Sequence, residues 1–179
     1  MLKKDRIILI VTDIQGILAS RMHERDALYK NIGIIIDGIR ILRIPLLWVE
    51  QYPKGLGPTV PEVAAHLEGF MPLPKKTFSS LKEPVIRESL ASSGRDQVLL
   101  VGIETHVCIY QTAMDLLDQG FETHVVEDAV SSRTASNKRI GLTKIERSGG
   151  HITSIETALF ELLETAEGEA FKKIITLVK

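Results

Sequence analysis

Short apolar runs recur along this chain, separated by stretches of helical periodicity, and that alternation constrains the fold more than any other feature. Ile7–Val11 is five consecutive aliphatic residues, the composition of a strand buried on both faces. Leu46–Val49, Phe70–Leu73, Val98–Val101 and Thr123–Val126 read as further strands, and Ile152 marks a candidate last one. Helical spacing covers 26–42, 61–67, 83–92, 105–119 and 134–147, with Thr105 as a possible N-cap. Ser154 is placed to cap a final long helix, and the tail Phe171–Val178 has no decisive period. Tyr52–Pro61 is rich in Pro and Gly and reads as a loop, with Gly55 to Pro61 expected to form a mobile lid. Gly102 is expected to end the fourth run.

Strand–helix alternation at this spacing predicts an α/β fold: a three-layer α/β/α sandwich around a mostly parallel, Rossmann-like sheet of five or six strands. The 179 residues are expected to form one domain. In such folds the ligand sits beyond the carboxyl ends of the strands, near the switch in strand order. Asp13, Glu50 and the segment from Gly102 onward all follow expected strands.

Charge narrows the partners. Lys+Arg is 22 against Asp+Glu 23, so a net charge of -1 supplies no long-range field for nucleic acid or an anionic membrane. Neither is expected as a partner; a small-molecule substrate is. Lys3 and Lys4 before Ile7–Val11 loosely mimic a signal peptide, but Asp13 interrupts the run and no small-residue cleavage site follows. With one cysteine there is no intramolecular disulfide, and a cytoplasmic location is expected.

The common cofactor and nucleophile motifs are missing. No G-x-G-x-x-G follows the first strand, and there is no P-loop and no G-x-S-x-G. The five histidines (23, 66, 106, 124, 151) form no i,i+4 pair, and His106 with Cys108 is too few ligands for zinc. No cofactor and no metal are expected.

Three positions remain. A helix starting at His106 has Tyr110, Ala113, Met114 and Leu117 as its apolar stripe, which sets Cys108 roughly opposite, on the line of Thr112, Asp115 and Gln119. A thiol in a first helical turn is stabilised as thiolate by free N–H groups and the helix dipole. A lone cysteine is also often a small buried hydrophobe, and the pattern leaves the two readings level. Asp13 ends the first strand as either a cap or a base. Lys75 or Lys76 is either solvated or enters the cleft, where a lysine beside an aspartate and a thiol favours the thiolate–carboxylate state. That arrangement predicts rapid alkylation of Cys108 with an apparent pKa well below ~8.5.

Residues 101–133, V-G-I-E-T-H-V-C-I-Y-Q-T-A-M-D-L-L-D-Q-G-F-E-T-H-V-V-E-D-A-V-S-S-R, resemble the characteristic region of the isochorismatase-like cysteine hydrolases. T-D-I-Q at 12–15 resembles that family's first-strand motif, and K-K-T-F-S-S-L at 75–81 its lysine motif. E-Q-Y-P-K-G-L-G-P-T-V-P-E at 50–62 is similar to the subgroup described as isochorismatase domain-containing proteins. The resemblance implies a catalytic triad of Asp13 as base, Lys75 and Cys108 as nucleophile. The family lysine stands three residues before an aromatic followed by a small polar residue, and Phe78 and Ser79 select Lys75 over Lys76. The resemblance further implies a non-proline cis peptide at Ile103–Glu104, an oxyanion site formed by the N–H groups of Glu104 and Cys108, and a homo-oligomer, dimer or larger. Gln15, Glu50, Tyr52 and His106 become candidate substrate-binding residues.

Two departures limit what the family name implies. Relatives that cleave isochorismate lack the nucleophilic cysteine, which is present here. Nicotinamidases carry an aspartate and paired histidines after the second strand, where this chain has Glu50-Gln51-Tyr52-Pro53 and no histidine until His66. The leading reading is therefore hydrolysis of a small amide-type C–N bond through a thioester. A non-catalytic binding or scaffold protein, and a redox-sensing thiol at Cys108, are the alternatives.

Overall fold

The side chains of Ile7–Val11 divide between two cores. Ile7, Leu9 and Val11 enter one buried cluster, and Ile8 and Ile10 enter the other. A strand can do this only at the centre of a sheet covered on both faces. The computed structural model describes residues 1–179. In chain order the elements are β1 (Ile7–Thr12), α1 (Gly16–Ser20), α2 (Arg25–Ile41), β2 (Leu46–Gln51), α3 (Pro53–Leu56), α4 (Pro61–Ala64), β3 (Pro72–Lys75) and α5 (Pro84–Ser92). They continue with β4 (Gln97–Ile103), α6 (Tyr110–Asp118), β5 (Glu122–Ser131), α7 (Ala135–Arg147), β6 (His151–Thr153), α8 (Ile155–Leu163) and α9 (Gly168–Leu177).

The sheet has six strands in the order β3-β2-β1-β4-β5-β6, and every neighbouring pair is parallel. The α/β/α sandwich expected from the alternation is the fold found. The larger core joins the sheet to α2 and α8 through Ile32, Ile36, Ile39, Ala158 and Leu159. The smaller joins its other face to α5, α6 and α7 through Ile86, Leu90, Ala113, Leu116 and Ile145. No helix is long and apolar enough to cross a membrane. Chain order reverses between β1 and β4, so the crevice beyond their carboxyl ends is the topological switch point.

Several local expectations need correction. The third strand is Pro72–Lys75 and not Phe70–Leu73. β3 is an edge strand, where a proline without an N–H is tolerated at 72 and again at 74. Phe70 instead packs on the larger core, with the Arg40 guanidinium 5.8 Å from its ring centroid. β4 does not stop at Gly102 but runs to Ile103. Gly102 has φ 122, and a Cβ there would strike the backbone of Thr12, so the glycine lets β1 and β4 touch just below the switch point.

The final helix is two helices, α8 and α9, separated by a left-handed Glu164, and the tail belongs to α9. Ser154 does cap α8 by accepting from Thr157 N. The segment after β2 contains the short α3 and is anchored, not a free lid. Gln15 Nε2 donates to Gly57 O at 2.7 Å, Thr59 N donates to Glu50 Oε1 at 2.7 Å, and Val60 N donates to Ile14 O at 2.9 Å.

Candidate active site

Three strand ends supply the centre. Asp13 follows β1 in a left-handed turn (φ 60), a conformation aspartate tolerates better than most residues, and its N–H donates to Val49 O on β2. The turn aims its carboxylate across the end of β2 toward β3. Lys75 ends β3, and its side chain is wholly buried. Lys75 Nζ donates to Asp13 Oδ2 at 2.6 Å, to Gln51 Oε1 at 2.5 Å, and to the carbonyls of Phe78 (3.1 Å) and Thr77 (3.2 Å). Lys76 is exposed, so geometry and the aromatic spacing select the same lysine.

Cys108 lies in the turn after β4. This turn is a π-helix, Thr105–Ile109, that leads into α6, and its phase differs from the α-helix assumed from sequence. The buried line is Thr105, Cys108, Ile109, Thr112, Ala113 and Leu116, while Tyr110, Met114 and Leu117 are half-exposed. Cys108 does share a line with Thr112, but that line faces inward: Thr112 Oγ1 accepts from Ser80 N at 3.0 Å. Thr105 is not a cap; its hydroxyl is buried without a partner. The turn is closed by Val107 N (3.0 Å) and Ile109 N (3.2 Å), both donating to Glu104 O, and these bonds pass over Cys108 N–H. The Ile103–Glu104 peptide is cis. Gly141 of α7 packs so close that a Cβ there would strike Thr105 O, which presses the turn against the switch point.

The electrostatics reverse one expectation. The Cys108 thiol is pushed up to about 12, first by burial and next by the Asp13 carboxylate, with Lys75 opposing. Burial also raises Asp13 above the usual carboxylate range, against the pull of Lys75. In this geometry Lys75 Nζ sits in ion-pair contact with Asp13 Oδ2, and the thiol beside them is held toward its neutral form and not as a preformed thiolate. Asp13 Oδ1 is buried with no hydrogen-bond partner, leaving one oxygen of the carboxylate unoccupied. Accordingly, the iodoacetamide labelling rate of the folded chain should climb about tenfold per pH unit from 7 to 10, without a plateau. Intact mass against time reads this directly, and a plateau at or below ~8.5 would contradict it.

The proposed pocket residues divide. Gln15 is fully buried, and its amide is consumed by Gln51 and Gly57: Nε2 donates to both carbonyls, and Oε1 accepts from Gln51 N at 2.6 Å. Glu50 is buried, with Oε1 holding both N and Oγ1 of Thr59; Trp48 Nε1 also donates to that hydroxyl at 2.8 Å. These two side chains brace the segment after β2. Tyr52 is half-exposed beside the centre, in a left-handed turn, with its N–H on Lys75 O. His106 is partly exposed, with Nδ1 3.0 Å from Ser132 Oγ. The Glu104 side chain pairs with Arg133 Nε at 3.0 Å, which holds the residue that carries one expected oxyanion N–H.

Gln51 was missed. Its Oε1 accepts from Lys75 Nζ and lies 4.0 Å from Cys108 Sγ, and its Nε2 is held by Lys76 O at 2.9 Å. The signal was strand length. β2 runs two residues past Val49, and its register pairs Gln51 with Lys75, so their side chains share a face.

The isochorismatase domain matches residues 7–157. The chain belongs to the isochorismatase family. Isochorismatase domain-containing protein 2 of Danio rerio is 40% identical over 172 residues, covering 96% of this chain and 86% of the relative. Among solved structures, the MAR1 ribonuclease from Caenorhabditis elegans superposes with a TM-score of 0.92 at 35% identity, covering 99% of this chain and 91% of that one. The YcaC gene product from Escherichia coli, described as an octameric hydrolase of unknown specificity, has the same fold at TM-score 0.92 and 19% identity, over 98% and 89% of the two chains. Membership in the isochorismatase family suggests a hydrolase.

Proposed function

We infer that this isochorismatase-family protein is a cysteine hydrolase that cleaves the C–N bond of a small amide through a thioester. The observation that carries the reading is the convergence of Asp13, Lys75 and Cys108 from three strand ends on the switch point, with a buried lysine 2.6 Å from the aspartate. A buried ion pair at a ligand edge is costly to keep for stability alone.

The chemistry follows from the resting protonation. With the thiol neutral, proton transfer and attack are coupled: Asp13 Oδ1 takes the Cys108 proton as Sγ bonds to the carbonyl carbon. The carbonyl electron pair moves to oxygen, which is held by the N–H groups of Glu104 and Cys108. Collapse breaks the C–N bond, and Asp13 returns its proton to the leaving amine. Water then adds to the thioester with Asp13 as base, the carboxylic acid leaves, and the proton returns to sulfur. Lys75 Nζ steadies the Asp13 carboxylate by its hydrogen bond to Oδ2. Gln51, held at both ends of its amide, keeps Lys75 and the thiol apart at fixed distance.

The net charge of -1 offers no attraction to RNA, so the reading takes a small molecule as substrate. Ile17, Tyr52 and Phe78 are large exposed apolar side chains on the segments that hold the centre, which suits an amide with an apolar portion. The octameric state of the YcaC hydrolase supports a homo-oligomer here too. The composition suits the cytoplasm.

Acid-quenched intact-mass spectrometry during turnover of a panel of small primary amides tests the reading. It expects an acyl adduct on the single cysteine together with ammonia release. If no amide yields either product from folded protein, the hydrolase reading fails.

A further inference from the structure

At the opposite end of the sheet, three side chains with metal-binding atoms meet. Glu122 and His124 are the first and third residues of β5, so strand alternation puts them on one face. The parallel register pairs His124 with His151, the first residue of β6. The two imidazole rings stack with centroids 4.7 Å apart at 29°. One ligand atom from each of Glu122, His124 and His151 lies within 4.8 Å of the others. None of the three belongs to the centre at the carboxyl ends, which the sheet separates from them.

We propose that Glu122, His124 and His151 form a site for one borderline divalent transition-metal ion, of the zinc class. Two imidazoles and one carboxylate are a common three-ligand set for zinc, with a fourth position left open to water. The same set discriminates against calcium and magnesium, which prefer all-oxygen coordination. Tetrahedral coordination brings ligand atoms to ~3.3 Å from one another. Glu122 Oε1 and His124 Nε2 already stand at 3.0 Å, so the remaining closure falls on the exposed His151, whose ring must turn out of its stack on His124 to present a nitrogen.

The carboxylate is already oriented for this role. Gln97 Nε2 donates to Glu122 Oε2 at 2.9 Å, and Arg6 Nη2 lies 3.6 Å from the same oxygen. That leaves Oε1 directed at His124, the outer-shell arrangement that fixes a ligating carboxylate. Arg6 also holds Asp96 at 2.8 Å, so part of its charge is already countered beside the site. The consequence is mechanical. β6 is a three-residue edge strand, and an ion here would clamp its start to β5.

The test titrates zinc chloride into the full chain, stripped of metal by chelation and dialysis, with calorimetry and thermal unfolding as readouts. The expected result is one zinc per chain, with Tm raised by roughly 5–10 °C at free zinc ~100-fold above Kd. His151→Ala, at an exposed position, should weaken binding at least tenfold while the metal-free Tm stays unchanged. Glu122→Gln should weaken it in the same direction. Cys108→Ala should leave zinc affinity unaltered, which separates this site from the thiol. Absence of saturable binding overturns the proposal. So does affinity that survives His151→Ala or disappears with Cys108→Ala.

Discussion

Cys108→Ala should abolish amide turnover, by a factor of at least about 10⁴, while leaving the fold intact. The magnitude is that of removing a covalent nucleophile whose partners work as a unit. The stability side is small because the side chain is small. A buried thiol contributes about as much as one methylene, on the order of 0.8 kcal/mol, so Tm should fall by no more than ~4 °C. Steady-state kinetics and a melting curve on the same preparation separate the two effects. A binding or scaffold role predicts no turnover in either form. A redox-sensing thiol predicts that peroxide, and not the amide, changes the wild-type protein. Turnover that survives the substitution would remove the thioester mechanism, whatever the family.

Lys75→Met should be the most destabilising single change at the centre. It leaves the Asp13 carboxylate buried without its cation, and strips a donor from Gln51 Oε1 and from the carbonyls of Thr77 and Phe78. Breaking one side of a buried pair typically costs about 3–5 kcal/mol, or roughly 6–20 °C in Tm for a chain this long. The pH dependence identifies the cause. Burial already raises the Asp13 pKa above its unfolded value, and loss of Lys75 raises it further. A carboxyl group raised in the folded state binds more protons there than in the unfolded chain, so its contribution to stability falls as pH rises through the folded pKa. It is fully favourable below the unfolded value near ~3.9. The stability gap between Lys75→Met and wild type should therefore narrow on acidification. The double variant Asp13→Asn/Lys75→Met should recover part of the loss by removing the stranded charge. Chemical denaturation across pH 4–8 measures all three. A single-variant cost under 1 kcal/mol, or a gap that widens toward low pH, would refute the ion-pair account.

Much of this architecture was legible in one dimension because its signals are local. A run such as Ile7–Val11 reads as a central strand, because it is short and mostly β-branched and every one of its side chains is apolar, which suits a strand covered on both faces. Helix positions followed from periodicity and caps such as Ser154, and the alternation of elements implied a parallel sheet. Asp13 and Cys108 were identifiable because each follows a strand, at the ligand edge of such a sheet. Family resemblance, together with the distance from Lys75 to Phe78, separated the two adjacent lysines.

What the residues alone left undecided depends on distance between segments. The thiol was expected to be ionised, since a helix N-terminus and a lysine both favour a thiolate. Enclosure by Asp13 and the surrounding core raises it instead, and desolvation is a property of packing that no local pattern carries. The π-turn at Thr105–Ile109 rotated the buried line of the next helix by altering its phase, which periodicity drawn for an α-helix cannot register. Gln15 and Glu50 turned from pocket candidates into braces once their partners at Gly57 and Thr59 were in place. Gln51 entered the centre because a parallel register sets it beside Lys75, 24 residues on. His124 and His151 meet for the same reason, 27 positions apart in the numbering and side by side across β5 and β6. Sequence alone determined the layers and placed Asp13 and the segment of Cys108 after strands, while the end of β3 at Lys75 came from the structure. Tertiary structure decided which groups touch and in what charge state, because contact and desolvation depend on strand register and burial.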